Sequence, residues 1–298
     1  MMAGANAQEA APRDAVSAFM ERASLRSADD HCELLTRNER LALDMGYWQS
    51  YGALLRGGFE LDELTAMHNE TTDYASTKPC DDKAMTAATE KLKNAFLAFS
   101  RTPFFEFHNS QSTWTASRTL TDVWGTYQEN SKTNSRMGLV HLKRARDPLA
   151  FAKPGEKRDP PQLGAMLRLA KGDKLPATAR LIARDPAKNA EPWLGGLFGD
   201  AGTLSAPPRA FSSAYFAAGR EVVDARPYED GDATNGILFL FGSDALRALE
   251  ALDPREAVVI EFAPSDRDKG GKLIRSVFEV GDFKAAAAFT LISREQSS

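Results

Sequence analysis

The feature that most constrains this fold is a change in hydrophobic periodicity near residue 102. Before it, apolar residues recur at helical spacing, as in Leu41, Met45, Trp48 and Leu55, and this pattern is typical of amphipathic helices. After Phe104, short apolar runs of strand length are separated by turn residues. A chain with both patterns in succession is expected to adopt an α+β fold.

Residues 13–102 are predicted to form a bundle of about four helices. Thr36 and Glu39 have the spacing of a capping box that begins the second helix. Gly57-Gly58 should end that helix, because glycine adopts a left-handed C-cap conformation without steric cost. Asp81-Asp82 suit the positively polarised N-terminal end of a fourth helix.

Residues 103–298 are predicted to form a mixed, mostly antiparallel β-sheet domain with a few helices. The candidate strands are 114–117, 122–127, 137–142, 165–170, 177–183, 212–217, 236–241, 257–263 and 273–280. The run 236–241 is apolar on both faces and should be a central strand. A helix over 245–252 is long enough to make a right-handed crossover to the next strand, and a final helix is expected over 282–291. In the last strand, Arg275 and Glu279 are expected to share a solvent-facing side.

The N-terminal sequence indicates export. Ala5-Asn6-Ala7 has the small-x-small form of a signal-peptidase site, so we interpret residues 1–12 as a disordered signal-peptide remnant and expect a periplasmic or secreted protein. The chain has two cysteines, Cys32 and Cys80, and in an oxidising compartment they are expected to form a disulfide. This bond would pin the helical bundle by joining the starts of the second and fourth helices, and it would contribute about 4 kcal/mol in the loop-entropy model.

Charge and hydropathy argue against two functional classes. The formal net charge is −4, whereas a dedicated nucleic-acid binder usually carries a strongly basic face, so no nucleic-acid partner is expected. No apolar run approaches the roughly 20 residues needed to span a bilayer, and we predict no transmembrane segment. The sequence does not indicate an oligomeric state.

Motifs for catalysis, metals and cofactors are absent from the sequence. There is no Gly-x-Ser-x-Gly elbow, phosphate-binding loop or dinucleotide fingerprint, and no cofactor or metal is predicted. His108 and His141 fall near the ends of candidate strands and are weak catalytic candidates, because the two imidazoles would meet if the sheet brought those strands together. A pair of carboxylates for glycoside hydrolysis is compatible with the many acidic residues but cannot be located.

Two segments outside the predicted strands are candidate contact surfaces. The first is a basic stretch that would bind an anion, formed by Lys143, Arg144, Arg146, Lys153, Lys157 and Arg158. The second is a glycine-containing apolar loop with Trp193, Leu194, Leu197 and Phe198. A solvated loop rarely carries so many large apolar side chains, so we predict that Trp193 and Phe198 are partly exposed and meet a partner or cover a pocket.

Three stretches carry a resemblance to known sequences. Residues 32–58, the Cys80-Asp81-Asp82 start and residues 279–286 resemble uncharacterised exported proteins of alphaproteobacteria. The resemblance implies a bacterial envelope location and a pairing role for the two cysteines, and it implies no particular activity.

These observations favour an exported, non-enzymatic binding or assembly protein whose partner is an unknown protein or an envelope glycan. Two alternatives remain open, namely an envelope hydrolase acting on glycan or peptide and a structural subunit of a surface assembly. A pocket with convergent acids or the two histidines would favour the hydrolase, and a basic or apolar patch would favour binding.

Overall fold

The computed structural model describes residues 12–119, 123–141, 160–170, 172–194, 205–224, 235–265 and 271–292. The chain divides into two compact units between Arg101 and Thr102, the first helical and the second built on a sheet. The predicted α+β fold is therefore confirmed.

Within the described residues, the helical unit has four helices. They are α1 (Pro12–Cys32), α2 (Arg37–Arg56), α3 (Leu61–Ser76) and α4 (Lys83–Phe99). Their apolar faces enclose a core in which Phe19, Tyr47 and Leu64 are buried. The capping box at Thr36 and Glu39 is present with both of its hydrogen bonds, and the left-handed residue after α2 is Gly58 (φ +94°), as its lack of a Cβ permits.

The predicted disulfide between Cys32 and Cys80 is present, with the two Cα atoms 5.6 Å apart. Its position corrects one expectation, because Cys32 is the last residue of α1 and does not begin the second helix. The first helix extends this far because its apolar stripe continues through Leu25 and Ala28, which are buried in the bundle. The bond therefore joins the end of α1 to the segment just before α4.

The described part of the second unit contains ten strands and two α-helices. The strands are β1 (Phe104–His108), β2 (Thr113–Ser117), β3 (Trp124–Asn130), β4 (Ser135–Val140), β5 (Gln162–Leu169), β6 (Thr178–Arg184), β7 (Ser212–Asp224), β8 (Asn235–Phe241), β9 (Ala257–Ala263) and β10 (Ile274–Glu279). The helices are α5 (Ser243–Glu250) and α6 (Phe283–Leu291). None of the described helices has the length and apolar composition needed to cross a membrane.

All described strand pairs are antiparallel, in the order β1-β2-β3-β4-β5-β8-β7-β6-β9-β10. The predicted crossover is wrong, because a crossover joins parallel strands. The helix α5 links β8 to β9, and these strands run antiparallel, since three antiparallel pairings separate them in the sheet. The candidate-strand list also lacked β1. Its apolar residues Phe105 and Phe107 pack against Phe289 of α6, with ring centroids 5.8 and 6.5 Å from that of Phe289. Because Phe289 is distant in the sequence, the local pattern did not indicate this strand.

The backbone hydrogen-bonding groups at the end of the edge strand β10 are paired with side chains from β2 and β3. Gln128 exchanges two hydrogen bonds with the backbone of Glu279 (2.8 and 3.1 Å), and the Trp114 indole donates to the Val280 carbonyl (3.0 Å). Because unpaired buried backbone groups are costly, these side chains replace the missing neighbour strand at this edge.

A buried carboxylate fixes the same edge from the other side. Glu279 is fully buried, and its carboxylate accepts hydrogen bonds from the Ser110 and Gln111 amides (3.0 and 3.1 Å) and from the Ser112 hydroxyl (2.8 Å). We call these four residues the Glu279 latch. The expectation that Glu279 faces solvent is wrong, because the β1–β2 turn folds over this side of β10.

Candidate functional site

A groove of about 710 Å³ lies on one face of β6, β7, β9 and β10. Its lining residues are Arg180, Ile182, Ala206, Pro207, Arg209, Ser212, Ala214, Val259, Glu261, Arg275 and Val277. We call it the arginine groove. Its volume falls in the range of small-molecule sites.

Strand register places the charged lining residues in one row across three strands. Arg180 on β6 and Arg275 on β10 both lie directly opposite Glu261 on β9. Since side chains two residues apart point to the same face of a strand, the next row in the groove consists of Ile182, Val259 and Val277. The groove floor is thus a charged row beside an apolar row.

The charged row carries more positive than negative charge. Arg180 binds one oxygen of the Glu261 carboxylate at 2.6 Å, and Arg275 binds the other at 2.8 Å. The Glu261 side chain is only 3% exposed, whereas that of Arg275 is 61% exposed. Burial raises the pKa of Glu261, but the hydrogen bonds from the two arginines outweigh burial and hold the pKa below its ordinary value of 4.5. One ionised carboxylate therefore faces two guanidinium groups.

Arg209 adds a third positive charge on the groove wall. It is exposed, and no carboxylate of the described chain lies within ion-pairing distance of it. Taking Arg209, Arg180 and Arg275 as +3 and Glu261 as −1, the formal charge of the lining is +2. The lining therefore favours an anionic ligand.

The wall that carries Arg209 is attached to the end of β6. Residues Arg209–Phe211 form a short 3-10 turn, and the Phe211 carbonyl accepts a hydrogen bond from the Asp185 amide at 2.8 Å. The Lys188 ammonium donates to the Ser212 carbonyl at 2.7 Å. These bonds fix the backbone that presents Arg209 to the groove.

Trp193 of the predicted contact loop lies next to this wall. Its indole is half-buried, with its ring centroid 6.3 Å from that of Phe211, so the predicted partial exposure of Trp193 is observed. The indole Nε1 is buried without a hydrogen-bond partner in the part of the chain that the structure describes. Leu194 is also half-buried, and the predictions for Leu197 and Phe198 lie outside the described residues.

A buried ion pair holds the backbone at Trp193. The Arg184 guanidinium binds both oxygens of the Glu256 carboxylate (2.6 and 2.8 Å), and these side chains are only 5% and 1% exposed. Glu256 also accepts the Trp193 amide at 3.0 Å, and Arg184 donates to the Asn189 carbonyl at 2.8 Å. This clamp ties the segment before the contact loop to β6 and β9.

The structure does not bring His108 and His141 together. His108 ends β1 and is 71% exposed, whereas His141 follows β4 and is buried. β2 and β3 separate the two strands, and the register places the histidines at opposite ends of the sheet, about 20 Å apart from ordinary strand spacing and rise. The hypothesis that they meet across the sheet is therefore corrected.

The predicted anion-binding stretch lies outside the described residues. Its members are Lys143, Arg144, Arg146, Lys153, Lys157 and Arg158, which fall in 142–159. The prediction for this segment stays a prediction. The arginine groove is a separate basic surface.

A polar pair, Tyr47 with His68, lies at the aromatic core of the helical unit. The Tyr47 hydroxyl lies 3.2 Å from His68 Nδ1, and the Arg26 guanidinium lies 4.2 Å from the centre of the Tyr47 ring. Burial raises the pKa of Tyr47 and lowers that of His68, so both groups are neutral near pH 7. We interpret the pair as a satisfied structural contact of the bundle.

One described group has the spacing of metal ligands, namely His31 with Cys32 and Cys80. Both sulfurs are engaged in the disulfide, and a thiolate is the form of cysteine that binds a metal. The oxidised protein therefore lacks two of the three ligands that this group would need.

Comparison with known proteins identifies no relative. No protein-family model matches this chain, and searches of curated proteins and solved structures also find no match. The functional argument therefore depends on the site itself.

Proposed function

We propose that this chain is an exported binding protein that takes an anionic ligand in the arginine groove. The observation that carries the proposal is the charge of the groove lining, which contains three arginines (Arg180, Arg275 and Arg209) and the single carboxylate of Glu261. Guanidinium groups are well suited to carboxylate, sulfate and phosphate because their planar N–H donors match these oxyanions.

Binding is favoured over acid–base catalysis by the state of Glu261. A general acid or base works best when its pKa lies near the working pH. The pKa of Glu261 is lowered by two arginines, and both carboxylate oxygens are engaged by them. Glu261 is thus suited to positioning the two guanidinium groups.

Export is supported by the disulfide between Cys32 and Cys80. Structural disulfides persist in oxidising compartments and are rare in reducing ones. The resemblance to exported alphaproteobacterial proteins points the same way, so we propose a location in the periplasm or outside the cell.

The test is a titration with inorganic phosphate at constant ionic strength, followed by NMR of the arginine Nε–H groups. Signals of Arg209 and Arg275 should shift and saturate, whereas the signal of Arg220, an exposed arginine on β7 outside the groove, should not. Arg209→Gln should weaken the phosphate affinity several-fold, because a hydrogen bond to a charged group is lost, and Arg220→Gln should leave it unchanged. Equal, unsaturable shifts at all three arginines would refute the proposed function.

A further inference from the structure

We infer that the ligand of the arginine groove is a small amphiphilic anion, with one acidic headgroup attached to an apolar body. This inference rests on the proposed function and adds the chemical class of the ligand. It follows from the order of the side chains along the groove floor.

The charged row supplies the binding point for the headgroup. Arg275 uses its Nε for Glu261, and Arg180 uses its Nε and Nη2. The remaining guanidinium nitrogens of these two residues have no acceptor among the described residues. They are therefore available to an oxyanion, and Glu261 keeps both guanidinium groups in place.

The apolar row supplies a surface for the rest of the ligand. It lies two residues along each strand from the charged row, which is about 7 Å. Its members are Ile182, Val259 and Val277, with Ala214 of β7 opposite Ile182. Val259 is already buried, whereas Ile182 and Val277 are half-buried. An inorganic anion at the charged row would leave the exposed parts of Ile182 and Val277 in water, whereas an attached apolar group would cover them.

An exposed aromatic side chain lies at the β7 end of the charged row, beside the groove lining. Phe216 of β7 lies directly opposite Arg180 and is 66% exposed. Cross-strand partners share one face of a sheet, so the Phe216 ring is on the groove side. Apolar side chains therefore lie along one side of the charged row and at its β7 end, which is unlike the continuous basic stripe that a long polyanion requires.

The experiment compares ligands that share a headgroup and differ in apolar length. Inorganic sulfate, hexyl sulfate and octyl sulfate are titrated as monomers by isothermal calorimetry, with 1-octanol as the uncharged control. We expect one site per chain and an affinity for octyl sulfate at least tenfold above those for sulfate and 1-octanol. The expected gain is about fourfold for each methylene that is fully buried on the floor.

Two variants distinguish the contribution of the headgroup to the affinity from that of the apolar body. Arg275→Gln should weaken sulfate and octyl sulfate by a similar factor. Val277→Ser should weaken octyl sulfate at least threefold and leave sulfate unchanged, and Val222→Ser, at an exposed valine of β7 outside the groove lining, is the matched control. If Val277→Ser alters the circular dichroism spectrum, Ala214→Asp replaces it, because Ala214 is exposed and an acidic side chain there would repel the ligand.

The outcomes distinguish this inference from the proposed function. Sulfate binding that depends on Arg275 but does not strengthen with chain length would overturn the amphiphile and keep an anion site. Octyl sulfate binding at several equivalents per chain, insensitive to every variant, would be detergent adsorption and would also overturn the inference. Failure of both sulfate and octyl sulfate to bind would reject the proposed function itself.

Discussion

Replacing Glu279 by glutamine should release the β1–β2 turn from β10. The Glu279 carboxylate is buried and receives three hydrogen bonds from the turn, two from the Ser110 and Gln111 amides and one from the Ser112 hydroxyl. Glutamine has nearly the same shape but offers one acceptor oxygen and a donating NH₂ group. The substitution therefore tests the hydrogen bonds with little change in packing.

The magnitude follows from these three bonds. If the amide oxygen keeps the contacts with Gln111 and Ser112, the NH₂ group faces the Ser110 N–H, and one donor loses its acceptor at a cost of about 1–3 kcal/mol. The two retained bonds change from charge-assisted to neutral and lose about 1 kcal/mol each. Removing a charge from a dry site offsets part of this loss, so we expect the free energy of unfolding to fall by about 2–3 kcal/mol.

The assay is urea unfolding followed by near-ultraviolet circular dichroism, with hydrogen exchange at the Gln111 amide as a local measurement. Glu106→Gln on β1, the strand that leads into the turn, is the control. Glu106 is 62% exposed, and surface substitutions usually change stability by less than about 0.5 kcal/mol. Faster exchange at Gln111 should accompany the loss of stability. If the two variants unfold with the same free energy, within about 0.5 kcal/mol, the latch does not stabilise this edge and our account of it is wrong.

Three other substitutions test separate parts of the molecule. Cys80→Ser should lower the unfolding free energy of the helical unit by up to about 4 kcal/mol in urea titrations. Thiol titration of denatured, unreduced wild-type protein should find no free thiol. Glu256→Gln should cost about 3–5 kcal/mol of unfolding free energy in the same assay, because it leaves the buried guanidinium of Arg184 without a counter-charge, whereas Glu191→Gln at an exposed position should cost almost nothing. The arginines lower the pKa of Glu261, so the stability that its carboxylate contributes is complete above about pH 4.5 and is lost as the pH falls through the lowered pKa. In this acidic range, the urea midpoint of Glu261→Gln should therefore depend less steeply on pH than that of the wild type. An unchanged pH dependence would contradict this assignment.

Local patterns in the sequence predicted the elements whose causes are local. The capping box of Thr36 and Glu39 forms as its three-residue spacing indicates. The strand over 257–263 coincides with an apolar run and has the predicted bounds. The disulfide could be paired because the chain has only Cys32 and Cys80. Cys32 was expected at the start of the second helix but ends α1 instead, since the burial of Leu25 and Ala28 that extends α1 depends on the other helices.

The functional residues escaped prediction because strand register decides which of them are neighbours. Arg180 lies 81 residues from Glu261, and Arg275 lies 14 residues from it. A shift of one residue in either pairing would turn a whole strand over and remove its arginine from the groove. A possible sequence signal was a basic or acidic side chain two residues from a β-branched one in each strand, and this signal has no meaning until the strand order is known.

The sequence by itself determined most of the helices and strands, where the fold changes class and which cysteines pair, because these depend on periodicity, capping and count. The tertiary structure alone decided that Glu279 is a buried latch, that His108 and His141 lie apart, and that two arginines bind Glu261 in a groove that a third arginine also lines. The physical reason is that the sequence specifies each side chain's charge and hydrogen-bonding capacity. Which groups pair with that side chain depends on the long-range pairing of strands.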